Sequence, residues 1–369
     1  MTMMFTMMAG ELAEAAAWTA HALPRRATLP VLAGMLVEAG DGEVAFSAFD
    51  YETSRRRTAE VAAKPGRVLL PGRLLAEVAK TLPKNEFVDV EADERQAWIR
   101  CGKAAFEIPA MPVEDYPKMP KMPAAVASIP AKQLTDAVGR VAPAAGTDDT
   151  VPMLTGVRVE ASDGLLSLAA TDRYRIAWHT IGWQPVVDAG DVAAVIPAKT
   201  LADIVKGFPD GDVQVGVDGS MASFSCDGYS TTVRLLDPEY PNLRAHYGKV
   251  AEAPHKATVD SGELAQVVRR VSLLAARHTA VRLAFTSGQV TVEAGSADGG
   301  LGREAMDAQL DGGDVEIAFN PRYLADALAA VGGQVELRML GNGKPALFQA
   351  AGVDGEPGYW HVVMSVRLS

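Results

Sequence analysis

Two hydrophobic periodicities alternate along this chain. Apolar residues at helical spacing fill Gly10 to Leu23, where Pro24 stops the run, and recur over Gly72 to Leu82, which Pro83 ends. Elsewhere apolar and polar positions alternate as in half-buried strands. Met35 to Glu38 and Glu43 to Phe49 flank a Gly40-Asp41-Gly42 turn, and Phe87 to Glu91, Ala97 to Cys101 and Ala104 to Ile108 form a second meander. The same order, helix, strands, helix, strands, predicts helices at Ala131 to Val141 and Ala198 to Phe208, then at Ser261 to Arg277 and Pro321 to Val331. Two helices plus antiparallel sheets per copy is an α+β plan.

The copies are visible in the letters as well as the pattern. Leu29-Pro30-Val31-Leu32-Ala33-Gly34 returns 122 positions later as Val151-Pro152-Met153-Leu154-Thr155-Gly156, and Asp50-Tyr51-Glu52 returns at that offset as Asp172-Arg173-Tyr174. Leu70-Pro71-Gly72-Arg73 reappears as Ile196-Pro197-Ala198-Lys199 and a third time as Phe319-Asn320-Pro321-Arg322. A period this long marks repeated globular domains, here three: 1–124, 125–250 and 251–369. The Pro-rich stretch Tyr116 to Pro123 reads as an extended linker, and the second boundary falls near Tyr240 to Pro254.

The 369 residues suffice for three cores, aliphatic because aromatic residues are only 6%. The N-terminal Met-rich run has no basic region and is followed by Glu11 and Glu14, so it reads as neither a signal peptide nor a membrane span, and a cytoplasmic protein is expected. Cys101 and Cys226 sit at equivalent places in different copies, where two buried reduced thiols are expected rather than a bond. The histidines lack metal-ligand spacing. No catalytic signature is present. Gly341-Asn342-Gly343-Lys344-Pro345-Ala346 fits a dinucleotide fingerprint in letters only, since it joins two strand-like runs and reads as a hairpin turn. Asp50 and Asp172 read as turn-capping carboxylates, not a catalytic pair. No cofactor is implied.

Net charge is −11, but acidic residues gather in turns and strands (Asp41, Asp89, Asp298, Asp311, Asp314) while several helices carry basic ends.

Taken together, Thr28 to Leu32 with Phe49-Asp50, Met111 to Pro117, Thr171 to Arg175, Arg234 to Leu236 with Tyr240-Pro241, Phe319 to Tyr323 and the tail Val362 to Leu368 resemble the bacterial sliding clamps, the β subunits of DNA polymerase III. The resemblance runs over essentially the whole chain and has an actinobacterial look. It implies a head-to-tail homodimeric ring of clamp domains, a non-catalytic processivity factor whose inner wall of helices surrounds duplex DNA. Arg26, Arg73, Lys80, Lys132, Arg140, Lys199, Lys206, Arg269, Arg270 and Arg322 are the implied DNA-facing residues.

The implied partners are the polymerase III alpha subunit, the clamp loader, and other polymerases and repair proteins, all docking short peptides into an apolar pocket. Carried over residue by residue, that pocket is Leu154, Thr171, Arg173, Tyr174, Arg175, Ile176, Pro241, His246, His278, Asn320, Tyr323, Val362, Met364, Ser365, Val366, Arg367 and Leu368. Two positions depart from the family pattern: Ser365 replaces a proline and His246 an aliphatic residue, changes expected to add polar groups and loosen the backbone. They keep open a variant reading, a scaffold or drug-resistant substitute clamp. The rival from another class is a repeat-built enzyme with a cleft between its domains.

Overall fold

The computed structural model describes residues 2–162, 164–186, 192–274, 279–296, 300–353 and 355–368. Contacts divide the chain into two compact units: Met1–Ala131 with Gln184–Ala189 and Lys206–Leu235, and Lys132–Trp183 with Gly190–Val205 and Leu236–Ser369. The division cuts through the central repeat, because strands of that repeat pair with strands of both neighbours.

In the first unit a five-stranded sheet runs in the order Ala63–Lys64, Met3–Met8, Phe87–Ala92, Gln96–Cys101, Ala104–Pro109. Its second strand is the Met-rich run to which sequence reading gave no structure. Met3, Phe5 and Met7 point into the core and Met4 and Thr6 away from it, an alternation hidden by a stretch in which nearly every letter is apolar. Helices α1 (Ala9–Ala20) and α2 (Gly72–Thr81) pack on this core through Leu12, Ala16, Leu75 and Ala79. A nine-stranded sheet completes the unit, with Tyr229–Arg234 of the central repeat paired antiparallel to Thr53–Glu60 of the first.

The second unit repeats this logic. Its nine-stranded sheet joins Arg175–Gly182 of the central repeat to Tyr359–Met364 of the third, and a four-stranded sheet ends at Gly300–Asp307. Around these sheets lie α3 (Ala131–Val141), α4 (Ala198–Val205), α5 (Arg244–Ala251), α6 (Ser261–Val271) and α7 (Pro321–Val331). The antiparallel sheets thus fuse across repeat boundaries instead of staying within one copy. Pairing an edge strand with the neighbouring repeat satisfies its backbone groups and removes an aggregation-prone edge.

Three expectations change in detail. Helix α4 ends at Val205, not Phe208; Gly207 follows, and a Cβ there would overlap the ring of Trp18. Helix α6 gives way to a 3-10 turn at Ser272–Leu274, and the rest of the run expected to reach Arg277 lies outside the described residues, as does Asp298. The boundary stretch Tyr240 to Pro254 contains α5, whose Leu243 and Val250 flanks are buried against Ile176, Trp178, Trp360 and Val362. Other readings hold: 341–344 links the strands Gln334–Met339 and Pro345–Ala350 as a hairpin, and both cysteines are free and buried.

Candidate functional site

The turn after Leu165–Thr171 is fixed by its own side chains. Asp172 Oδ1 accepts from the backbone N–H of Tyr174 (3.0 Å) and Arg175 (3.1 Å), Thr171 Oγ1 donates to the Arg175 carbonyl (2.6 Å), and Arg173 takes a left-handed φ of 79°. This confirms Asp172 as a turn-capping carboxylate. The consequence is that Tyr174 stands outward, 58% exposed, at the head of the strand Arg175–Gly182.

Register then builds a face. Ile176 pairs with Val362 and Arg175 with Val363, and the Met364 N–H donates to the Tyr174 carbonyl (2.8 Å). With a side-chain period of two, Tyr174 and Ile176 share one side of the sheet with Val362 and Met364. Ile176 and Val362 are buried and form the floor; Tyr174, Met364 (38% exposed) and Val366 (42%) stay open. Val366 is held by its N–H to the Ala318 carbonyl (2.7 Å), two residues before Asn320, whose Oδ1 caps α7 by accepting from Arg322 N (2.9 Å). Leu368 is tied by its N–H to Asn342 Oδ1 (2.9 Å) and Arg367 passes Gly343. Pro241 and His246 are exposed before and on α5, which covers the Ile176–Val362 floor through Leu243 and Val250. Leu154 is buried in its own 3-10 turn. His278 lies outside the described residues.

Three expected pocket residues, Thr171, Arg175 and Ser365, spend their polar groups inside the protein. Thr171 is buried and used by the turn, and Arg175 is only 3% exposed. The Arg175 guanidinium donates Nε to Asp172 Oδ2 (2.9 Å), Nη1 to Asp326 Oδ2 of α7 (2.5 Å) and Nη2 to the Pro143 carbonyl just after α3, and lies 4.5 Å from the Tyr323 ring centroid. Each of its three nitrogens thus donates inside the protein and the side chain is buried, so the fork is turned away from a ligand. Ser365 also turns inward. Its hydroxyl donates to the Lys344 carbonyl (2.7 Å) and its N–H to the same oxygen (3.4 Å), so the tail is tethered there, not loosened as its replacement of proline suggested.

Beneath the face, Tyr359 Oη lies 2.9 Å from His361 Nδ1 and 3.4 Å from the Arg140 carbonyl. Burial, with Arg175 nearby, pulls the His361 pKa down to about 3, and burial with Arg140 pulls His179 to about 4, so both rings are neutral near neutrality.

All ten candidate DNA-facing residues are exposed. Arg73, Lys80, Lys132, Arg140, Lys199, Arg269, Arg270 and Arg322 lie on helices α2, α3, α4, α6 and α7; Arg26 follows α1 and Lys206 follows α4. Some are engaged: Lys132 with Asp136 (2.6 Å), Arg270 with Glu304 (2.5 Å), and Arg73 with the Leu23 and Pro24 carbonyls (3.1 and 3.2 Å). Helix α1 contributes only Glu11 and Glu14.

Comparison with known proteins decides the family. The chain matches the DNA polymerase III beta subunit N-terminal domain over residues 3–120, the central domain over 128–242 and the C-terminal domain over 251–366. The chain belongs to the sliding-clamp family. It is 41% identical to the beta sliding clamp of Streptomyces coelicolor over 97% of both chains, and 33% identical to the beta sliding clamp homolog GriR of Streptomyces muensis, again over 97% of both. Its fold superposes on the Pseudomonas aeruginosa sliding clamp bound to griselimycin with a TM-score of 0.91 at 25% identity, covering 100% of both chains. Its function is that of a sliding clamp in DNA replication, a family of processivity factors.

The clamp residues that sequence reading missed are the holders of its outward face. Asp326 stands four residues after Arg322 on a helix, which reads as an ordinary surface pair, and the Pro143 carbonyl has no side-chain letter at all. Only Asp172 gave a signal, through its recurrence at Asp50.

Proposed function

We propose that two copies of this sliding clamp close head to tail around duplex DNA and that partners dock short peptides on the face of Tyr174, Ile176, Val362, Met364 and Val366. The observation that carries the docking site is this open apolar strip above a buried Ile176–Val362 floor, fixed by backbone register and by a braced turn. Arg173, Pro241, His246, Asn320, Tyr323, Arg367 and Leu368 belong to its rim, with Leu154 at its floor, and His278 remains an expected member that lies outside the described residues. Dimerisation is supported by two edges. The outer edges of Ala104–Pro109 and Gly300–Asp307 have no strand partner among the described residues, and Leu301 on the second is 63% exposed. Pairing one edge of each copy with the other edge of its twin closes both.

The three domains are 1–124, 125–250 and 251–369. Their helices, with the segments that follow α1 and α4, present the ten basic residues to phosphates without reading sequence, which permits sliding. A polymerase tethered to a ring re-engages its primer end at high effective concentration, so the clamp's contribution is topological and not catalytic. The setting is the cytoplasm, and the partners are the polymerase III alpha subunit, the clamp loader, and other polymerases and repair proteins. Among the described residues no helix is long and apolar enough to cross a membrane. The test is retention on nicked circular DNA by a protein that sediments as a dimer. Loss of retention on linearising the DNA is expected; a monomer, or equal retention on both forms, overturns the ring.

Ser365 and His246 support a second reading, a substitute clamp whose face discriminates against inhibitors such as griselimycin. Measuring griselimycin and partner-peptide affinities on the same protein separates it from an ordinary clamp, which binds both.

A further inference from the structure

Helix α3 is tied to the docking face from two sides, and neither tie is a ligand contact. Arg175, at the start of the strand that carries Ile176, reaches past the sheet to the Pro143 carbonyl, two residues beyond the end of α3. Tyr359, at the start of the strand that carries Val362 and Met364, donates to the Arg140 carbonyl in the last turn of the same helix (3.4 Å). Arg175 also holds the docking face itself, through Asp172 in the Tyr174 turn and through Asp326 and the Tyr323 ring on α7. One buried cation therefore has its donors shared among the turn, α7 and the α3 terminus. A bidentate or tridentate guanidinium is directional, so a shift of any one acceptor is felt at the others.

We propose that Arg175 is a positioning residue that couples the docking face to α3, so that a peptide seated on Tyr174 and Met364 tightens the last turn of α3, where Arg140 stands, and firm phosphate contact at α3 strengthens docking. The coupling rests on the face being the peptide site. It is reciprocal because linkage requires it, and typical couplings change affinity roughly 5- to 150-fold. Asp326 is the second member of the device: it anchors Arg175 to α7, and removing its charge weakens the brace without leaving a bulky gap.

The experiment follows amide hydrogen exchange over 131–144 in the full-length protein, with and without a saturating short synthetic peptide carrying adjacent Leu and Phe anchors. Exchange in the last turn of α3 is expected to slow on binding in the unaltered protein, and to respond several-fold less in Arg175→Lys, which keeps the charge and loses the planar fork. Asp326→Asn, nearly isosteric, provides the same comparison should Arg175→Lys fold poorly. Met364→Ala, which weakens contact but leaves the brace, should regain the full α3 response once more peptide is added. A peptide that binds while α3 exchange stays unchanged overturns the coupling alone, as does an undiminished response in both brace variants. Failure of the unaltered protein to bind any such peptide overturns the docking site, and the coupling with it.

Discussion

The Asp50 turn and the Asp172 turn stand at the same place in two repeats, and the strands they open join their neighbours in the same register. Asp50 Oδ1 accepts from Glu52 and Thr53 N–H (3.0 and 2.7 Å) as Asp172 does from Tyr174 and Arg175, and Tyr51 takes a left-handed φ of 73° where Arg173 has 79°. Thr53 pairs with Val233 as Arg175 pairs with Val363. The side chains then diverge. Where the second seam has Ile176 opposite Val362, the first has Ser54 and Thr232 joined hydroxyl to hydroxyl at 2.6 Å. Where the second exposes Tyr174 and Met364, the first sets Glu52 against Arg234 at 3.5 Å. One backbone plan thus gives a polar seam at one repeat boundary and an open apolar face at the other. The difference lies in a few side chains, since buried polar groups demand partners and exposed apolar ones leave area for a ligand to cover.

The sharpest way to break the comparison is at the charged groups. Arg175→Ala leaves Asp172, Asp326 and the Pro143 carbonyl without their donor and should cost about 3–5 kcal/mol, the range for removing one partner of a buried pair. Arg234→Ala, at the exposed ion pair of the first seam, should cost about 1 kcal/mol or less. Denaturant unfolding of both variants gives the two numbers, and equal losses would show that the seams are energetically alike.

Exchanging the faces comes next. Tyr174→Glu with Met364→Arg installs the first seam's ion pair on the second. Calorimetric titration should find peptide affinity reduced about a hundredfold, equivalent to about 2.7 kcal/mol, with secondary structure by circular dichroism unchanged. Retained affinity would place docking elsewhere.

Acid should distinguish the seams too. His179 and His361 occupy the positions at which the first seam has Arg57 and Thr231. Both histidines have folded-state pKa values, about 4 and about 3, below the ordinary 6.5, so below pH 6.5 the unfolded chain binds protons that the folded chain refuses. Stability is lost as pH falls through that window, by up to about 1.4 kcal/mol per pH unit for each histidine. Hydrogen exchange at pH 5 should show the strand Tyr359–Met364 opening before Tyr229–Arg234, and His361→Phe should flatten the pH slope of the second alone.

The smallest effect belongs to Ser365→Pro. It removes the two donors to Lys344, worth about 1 kcal/mol, and gains a comparable amount by stiffening the unfolded chain. Melting temperature and peptide affinity should therefore change little. A tenfold gain in griselimycin affinity for Ser365→Pro with His246→Leu would instead favour the substitute-clamp reading.

Much of this was legible in the letters. Repeated words at offsets of 122 to 126 residues gave the three copies, helical spacing gave α2, α3 and α7 nearly to the residue, and the recurring Asp gave both turns. The Met-rich first strand was not legible, because a run whose one polar letter is Thr6 has no visible period, nor was α5, a short stretch with Val250 as its only buried residue that lies among prolines. Among the site residues, the exposed strip Tyr174, Met364 and Val366 followed from family resemblance, whereas the inward roles of Arg175, Thr171 and Ser365 did not.

By itself the sequence determined the repeat, the α+β plan, the family and where basic side chains fall on helices. These depend on local spacing and on residue identity, which the chain carries in one dimension. Only the tertiary structure decided that Arg175 is a brace and not a contact, that Asp326 answers it from 151 residues away, and that two seams of the same register differ in what they leave open. Those properties depend on which partner reaches a donor first in a low-dielectric interior, and that is settled by packing between segments distant in the chain.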